Sequence, residues 1–149
     1  MGLRDLLNEQ LKTALKEKDI VRKNSLRMAL SSIKNAEIDG QKELDDASII
    51  NILQKEIKTR EETILEARKA NRDDMIDELS AEIEVLKEFL PTPLTDKELL
   101  LMVKRIILET GAESIKDMGK VMKATIQEAG GRATNDKISS FIKEILSGG

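Results

Sequence analysis

The chain has no cysteine, no histidine, no tryptophan and no tyrosine, and only two prolines and two phenylalanines among 149 residues. Each absence removes chemistry. Without cysteine there is no disulfide framework, no thiolate nucleophile and no cysteine-based zinc site. Without histidine the commonest general base near neutral pH is gone, and so are the nucleophilic triads built on it. With Phe89 and Phe141 as the only aromatics, stacking platforms for unpaired bases are nearly missing. No apolar run approaches the roughly 18 residues that cross a bilayer. The N-terminus lacks the apolar segment of a secretory signal, and Leu6 stands where a myristoylation signal wants Ser or Thr. A cytoplasmic protein with no membrane association is expected.

What is present is charge and helix-forming residues. Charged residues make up 36% and hydrophobic ones 40% of the chain. Abundant Glu, Lys, Leu and Ile with two prolines and almost no aromatics reads as all-α, and no segment alternates at the period of a strand. Seven helices are predicted. The first, 3–17, places Leu3, Leu7, Leu11, Ala14 and Leu15 on one face; the second, 19–39, does so with Leu26, Ala29, Leu30 and Ile33. Gly40 is expected to end the second helix in the left-handed conformation. The third, 46–69, carries Ile50, Leu53, Ile57 and Ile64. Asn71 answered by Asp74 predicts a capped start for the fourth, whose seam is Ile76, Leu79, Ile83, Leu86 and Leu90.

Pro91 and Pro93 interrupt the helical pattern. We therefore expect an N-terminal helical bundle of about four helices over 1–93 and a small three-helix domain over 94–149. Thr95 with Glu98 predicts a capping box opening the fifth helix, which buries Leu99, Val103, Ile106 and Ile107 and ends at Gly111. Ser114 with Asp117 predicts another at the sixth, ended by Gly130 and Gly131. Thr134 or Asn135 caps the seventh, which buries Ile138, Phe141, Ile142 and Ile145. Net charge is +4 over 1–35, −8 over 36–93 and +1 over 94–149.

The stretch "SIKDMGKVMKATIQEAGG", 114–131, concentrates the candidate chemistry. On a helical wheel Met118, Val121, Met122 and Thr125 share one face, while Lys116, Lys120 and Lys123 align on the other. Gly119 reads as an interior helix glycine, tolerated because it lets another backbone come close. Arg132 follows in the glycine-rich turn and Lys137 opens the next helix, so Lys116, Lys120, Lys123, Arg132 and Lys137 form a candidate phosphate-binding patch. The bland alternative is a solvated lysine face. With so few aromatics, an RNA ligand would be read through shape and phosphates. Lys12, Lys16, Arg22, Lys23 and Arg27 make the first hairpin basic; it either docks on the acidic middle segment, faces solvent, or forms a second RNA-facing surface. Asp73, Asp74, Asp77 and Glu78 are expected at a helix N-terminus, where acids are favoured, rather than as a magnesium site.

The stretches "LRMALSSIKNAEID", "NRDDMIDELSAEIEVLKEFLPTPLTDKEL" and above all "KDMGKVMKA" resemble the YqeY family across essentially the whole chain. The motif is carried by Asp117, Met118, Gly119, Val121 and Met122. The family shares its C-terminal region with the tail of GatB, a subunit of the glutamyl-tRNA(Gln)/aspartyl-tRNA(Asn) amidotransferase. The resemblance implies a freestanding relative of a tRNA-binding tail, acting with a tRNA-aminoacylation or amidation enzyme. Family-level assignment extends to a carbon–nitrogen ligase with glutamine as amide donor. The catalytic body that binds ATP and magnesium has no counterpart in these residues, so no catalytic residue, metal or cofactor is assigned to this chain on its own. A protein-binding helical adaptor is the other alternative, and a monomer is expected. Where the family's turn after the sixth helix commonly reads Gly-Lys-Ala-Asp, this chain has Gly131, Arg132, Ala133 and Thr134.

Overall fold

A computed structural model describes residues 2–148 and divides the chain into two compact units, Met1–Leu90 and Pro91–Gly149. Among the described residues all regular structure is helical. The division falls three residues before the expected boundary, because residues 92–94 bond to the C-terminal unit. The Leu94 amide donates to the Arg132 carbonyl at 2.8 Å, and Arg132 Nε donates to the Thr92 carbonyl at 2.8 Å.

The N-terminal unit is built from α1 (Leu3–Glu17), α2 (Ile20–Gly40), α3 (Asp46–Lys69) and α4 (Asp73–Lys87). Its core joins Leu7, Leu26, Ala29, Ile33, Leu53, Ile57 and Leu86 with Ile49, Val85 and Phe89. On α3 the buried position is Ile49, with Ile50 only half-buried, which sets the stripe one residue earlier than predicted. Ile49, Leu53 and Ile57 repeat at four-residue steps and stack on one line of the helix. Leu15 lies outside the core and is exposed.

Two helix ends differ from expectation. Gly40 is the last residue of α2 and Gln41 takes the left-handed conformation at φ 53°. The physical reason is tertiary. The Glu37 carboxylate is gripped by both terminal nitrogens of Arg4 from α1 and accepts from the Leu44 amide at 2.9 Å, while the Glu37 carbonyl accepts from the Lys42 amide at 3.2 Å. That clasp fixes the end of α2 one residue later. Asn71 does not cap α4. It is left-handed, φ 55°, and closes α3, with the Arg72 amide reaching the Ala67 carbonyl at 2.9 Å. Asparagine tolerates this conformation because its short polar side chain bonds locally. Arg72 then occupies the N-cap of α4 without a side-chain cap, and α4 ends at Lys87, leaving Leu90 packed on the core beyond the helix.

Among the described residues one charged side chain is buried in this unit. Arg60 on α3 is 4% exposed. Its Nη1 bonds the Glu56 carboxylate at 2.9 Å and the Glu56 carbonyl at 3.0 Å, and its Nε bonds Glu82 of α4 at 3.1 Å. Ser32 of α2 donates to Glu56. Among the described residues no buried side-chain nitrogen or oxygen lacks a partner, as a buried ion requires.

The C-terminal unit contains α5 (Asp96–Thr110), a 3₁₀ turn (Ile115–Asp117), α6 (Met118–Ala129) and α7 (Asn135–Leu146). Its core is Leu94, Leu99, Val103, Ile106, Val121, Ala129, Ile138 and Ile142, flanked by Met118, Met122 and Phe141. Here local sequence sets the boundaries. Thr95 and Glu98 make the reciprocal capping box at 3.1 and 2.9 Å. Gly111, φ 70°, and Gly130, φ 56°, end α5 and α6 in the left-handed region that glycine adopts at no steric cost. The Thr134 side chain caps α7.

Candidate nucleic-acid interface

The sixth helix does not begin where its capping box does. Ser114 and Asp117 form the box, but it encloses the 3₁₀ turn. Asp117 Oδ2 accepts from the amides of Glu113 at 2.8 Å and Ser114 at 3.3 Å, and Asp117 sits at φ −90°, ψ 2°, between turn and helix. These two N–H donors hold the Asp117 carboxyl below its usual range. Lys116 therefore belongs to the turn, and the three-lysine alignment drawn on a continuous helix reduces to Lys120 and Lys123 on α6 with Lys116 just ahead of them.

Gly119 is corrected by the same geometry. It is the second residue of α6, not an interior one, and it is exposed. A Cβ built on it meets no atom within 4 Å beyond its own helix turn, so no neighbouring backbone needs the space. The wheel places Gly119, Lys120, Lys123 and Gln127 together, and all four are exposed, while Val121, Thr125 and Ala129 are buried on the other side. The outward face of α6 thus presents two ammonium groups beside a stretch of backbone bare of side chain.

The five cations differ in what holds them. Among the described residues no carboxylate pairs with Lys116 or Lys123. Lys120 Nζ lies 3.8 Å from Asp117, a half-exposed contact of little energy. Arg132 commits its Nε to the Thr92 carbonyl, is exposed, and its charge helps to hold the Glu98 carboxyl low. Lys137 Nζ sits 2.5 Å from Asp96, a contact between the start of α7 and the start of α5. Arg132 and Lys137, together with the Leu94 amide, fasten residues 92–96 to the turn after α6 and to the first turn of α7.

The first hairpin retains its positive charge. Arg22 bonds Glu88 at 2.7 Å and lies 3.8 Å from Asp19. Among the described residues, Lys12, Lys16, Lys23 and Arg27 have no carboxylate in pairing distance. Lys34 on the same helix was not among the cations singled out from sequence; the signal for it is the lack of any acid between Asp19 and Glu37. Asp73, Asp74, Asp77 and Glu78 lie around the first turns of α4, and Asp74 faces Arg72. Among the described residues no three acidic side chains converge as metal ligands, and no helix is long and apolar enough to cross a membrane.

Several curated relatives are similar to this chain, among them three each named "Altered inheritance of mitochondria protein 41, mitochondrial". The one from Lachancea thermotolerans is 41% identical over 85 residues, covering 56% of this chain and 46% of the relative. One from Saccharomyces cerevisiae is 34% identical over 86 residues, covering 57% and 46%. The one from Pyrenophora tritici-repentis is 28% identical over 144 residues, covering 94% and 78%. This chain spans about half the length of the first two. The names overturn the cytoplasmic expectation: these relatives are mitochondrial. Lack of an apolar leader does not speak to that compartment, whose import peptides are amphipathic and arginine-rich. The model of the YqeY family, described as Yqey-like protein, matches residues 4–146, and the chain belongs to that family.

Proposed function

We propose that this chain is an accessory RNA-binding module whose ligand is tRNA, held by the outward face of α6 for a tRNA-handling enzyme. The observation that carries the reading is the exposed combination of Gly119, Lys120 and Lys123 at the start of α6, with Lys116 immediately before it. Helix-start N–H groups and ammonium groups favour phosphate oxygens, and a glycine there lets a phosphate approach the backbone. Overall charge is −3, so affinity has to come from this local concentration. Lys116, Lys120 and Lys123 contact phosphate, and Arg132 adds positive charge from the neighbouring turn.

The test is filter binding of unmodified tRNA to the full chain across a salt series. Lys116→Glu, Lys120→Glu and Lys123→Glu together should weaken binding at least about tenfold and flatten the salt dependence by about two to three contacts. Arg132 stays out of this set because its Nε holds the Thr92 carbonyl. Unchanged affinity with an intact helical spectrum discards the patch.

A protein-binding adaptor is the second reading, favoured by Leu101 and Leu108, which are 60% and 82% exposed at a seven-residue spacing on α5. Partners that remain after nuclease treatment and leave with Leu108→Asp would support it. An amide-transfer activity has a direct assay: turnover of misacylated tRNA with glutamine, ATP and magnesium by this chain alone would replace both readings.

A further inference from the structure

The longest run without an acidic residue in the N-terminal unit lies on α2. Between Ile20 and Ala36 there is none, while Arg22, Lys23, Arg27 and Lys34 occur. Three of these cations share one face. At about 100° per residue, Lys23, Asn24, Arg27, Ser31, Lys34 and Asn35 fall within a stripe roughly 120° wide. All are exposed except Lys23, which is half-buried. The opposite side of α2 is spent on the core through Leu26, Ala29 and Ile33. None of the three cations has a carboxylate partner among the described residues, although the same unit pairs Arg4, Arg22 and Arg60.

From this arrangement we infer that the outer face of α2 is a second polyanion-binding surface, and that its occupant is the backbone of double-helical RNA. Spacing supports this directly. With a rise of about 1.5 Å per residue, Lys23 and Arg27 are about 6 Å apart along the axis and Arg27 and Lys34 about 10 Å. These intervals match one and two phosphates along a strand at the few-ångström reach of Lys and Arg. Asn24, Ser31 and Asn35 fill the gaps with donors suited to phosphate and ribose hydroxyl oxygens. No aromatic side chain lies on α2, so unpaired bases have nothing to stack on and duplex geometry is favoured over single strands. A membrane surface fits less well. An interfacial helix immerses a continuous apolar face. Here the exposed apolar residues on the stripe, Ile20 and Ile38, are 64% and 63% exposed and stand about 27 Å apart, with polar groups between them.

The α2 surface draws on the N-terminal unit alone and is independent of the α6 patch. Its test uses the full chain and an RNA duplex of about 16 base pairs. The same sequence as DNA duplex and as single-stranded RNA, and phosphatidylcholine vesicles containing phosphatidylglycerol, serve as comparisons. Lys23→Glu, Arg27→Glu and Lys34→Glu together should lower duplex-RNA affinity at least about tenfold and flatten the salt slope by about two to three. A control triple, Lys42→Glu, Lys55→Glu and Lys69→Glu, changes net charge equally at exposed positions elsewhere and should cost under about threefold. Circular dichroism establishes that both triples remain folded. Equal losses in the two triples, an unchanged slope, or stripe-dependent binding to vesicles without stripe-dependent binding to RNA would each overturn the inference. Loss confined to the α6 lysine variant sinks this surface and leaves the α6 reading standing; loss confined to the α2 triple does the reverse.

Discussion

The two units reach helical order by different means. In the C-terminal unit most boundaries are written locally: a Thr95–Glu98 box, a Ser114–Asp117 box around the 3₁₀ turn, Thr134, and glycines at 111 and 130. Among the described residues its only buried polar side chain is Thr125, whose hydroxyl donates to the Val121 carbonyl one turn back. In the N-terminal unit, helix ends fall on Lys18, Gln41 and Asn71, all left-handed without being glycine. Asp19 and Asp45 cap the starts of α2 and α3 locally, but this unit adds charged ties between helices: the Arg4 clasp on Glu37 and the buried Arg60 between Glu56 and Glu82. Local rules are strong enough to end a helix, but a few long-range charges override them.

The largest effect that contrast predicts is at Arg60. Arg60→Ala leaves Glu56 and Glu82 facing each other without their cation, and should destabilise the N-terminal unit by about 3–5 kcal/mol. Amide hydrogen exchange resolved by residue should show the loss in α2, α3 and α4. Replacing the group as a whole, Arg60→Met with Glu56→Leu and Glu82→Leu, should recover much of it, because apolar packing replaces a desolvated cluster. If Arg60→Ala is silent, tertiary charge does not organise this unit and the comparison fails.

The next effect belongs to the local side. Thr95→Ala removes half of the capping box and should cost about 1 kcal/mol, read as faster exchange across α5. The same box carries a pH signature. The Thr95 amide and hydroxyl hold Glu98 below its ordinary value of 4.5. The stability it contributes is complete above that value and is lost as pH falls through the lower folded value. Glu98→Gln should remove this acid-dependent part of the loss while keeping a capping side chain. An unaltered acid profile would show that the carboxylate bond is not populated in solution.

How much of this is legible in the sequence follows the same divide. Thr95, Glu98, Gly111, Gly130 and Thr134 can be read because a cap is a contact within four residues. The stripes of α5 and α7 can be read for the same reason, since period alone decides them. Gln41 cannot, because the clasp that moves the end of α2 joins Glu37 to Arg4, 33 residues before it. Asn71 reads as a cap because asparagine favours both capping and left-handed positions; only the Arg72 amide bonding back to Ala67 separates the two. Arg60 and Glu56 are visible as an i,i+4 pair, but burial of that pair depends on α4. The lysine patch is legible as charge and not as geometry, because a 3₁₀ turn inside 114–118 breaks the continuous wheel.

A smaller pair of changes crosses the divide. Gly111→Ala forces a side chain into φ 70° and should cost the C-terminal unit about 1 kcal/mol. Gln41→Gly relieves a left-handed side chain at φ 53° while loosening the unfolded chain, for a net gain of about 0.5 kcal/mol in the N-terminal unit. Urea midpoints with exchange as the locator give both signs. If Gln41→Gly destabilises instead, the Gln41 side chain contributes more than its strain costs, and the end of α2 is held by more than the Glu37 clasp.

The smallest expected change carries the most about function. Gly119 lies outside the left-handed region, and a Cβ there meets open space. Packing gives no reason for glycine in the first turn of α6, so Gly119→Ala should stabilise the fold by about 0.5 kcal/mol. A position where the smallest residue is not the most stable one is explained if something outside the fold needs the space. A phosphate drawn to the exposed backbone at Gly119, beside Lys120 and Lys123, is such a tenant. The substitution should then raise the melting temperature and weaken tRNA binding about threefold, or about 0.6 kcal/mol. Gain of stability with affinity unchanged would mean that the ammonium groups bind without the backbone. A loss of stability would mean that the open space around Gly119 is filled in solution, and that the glycine serves the fold after all.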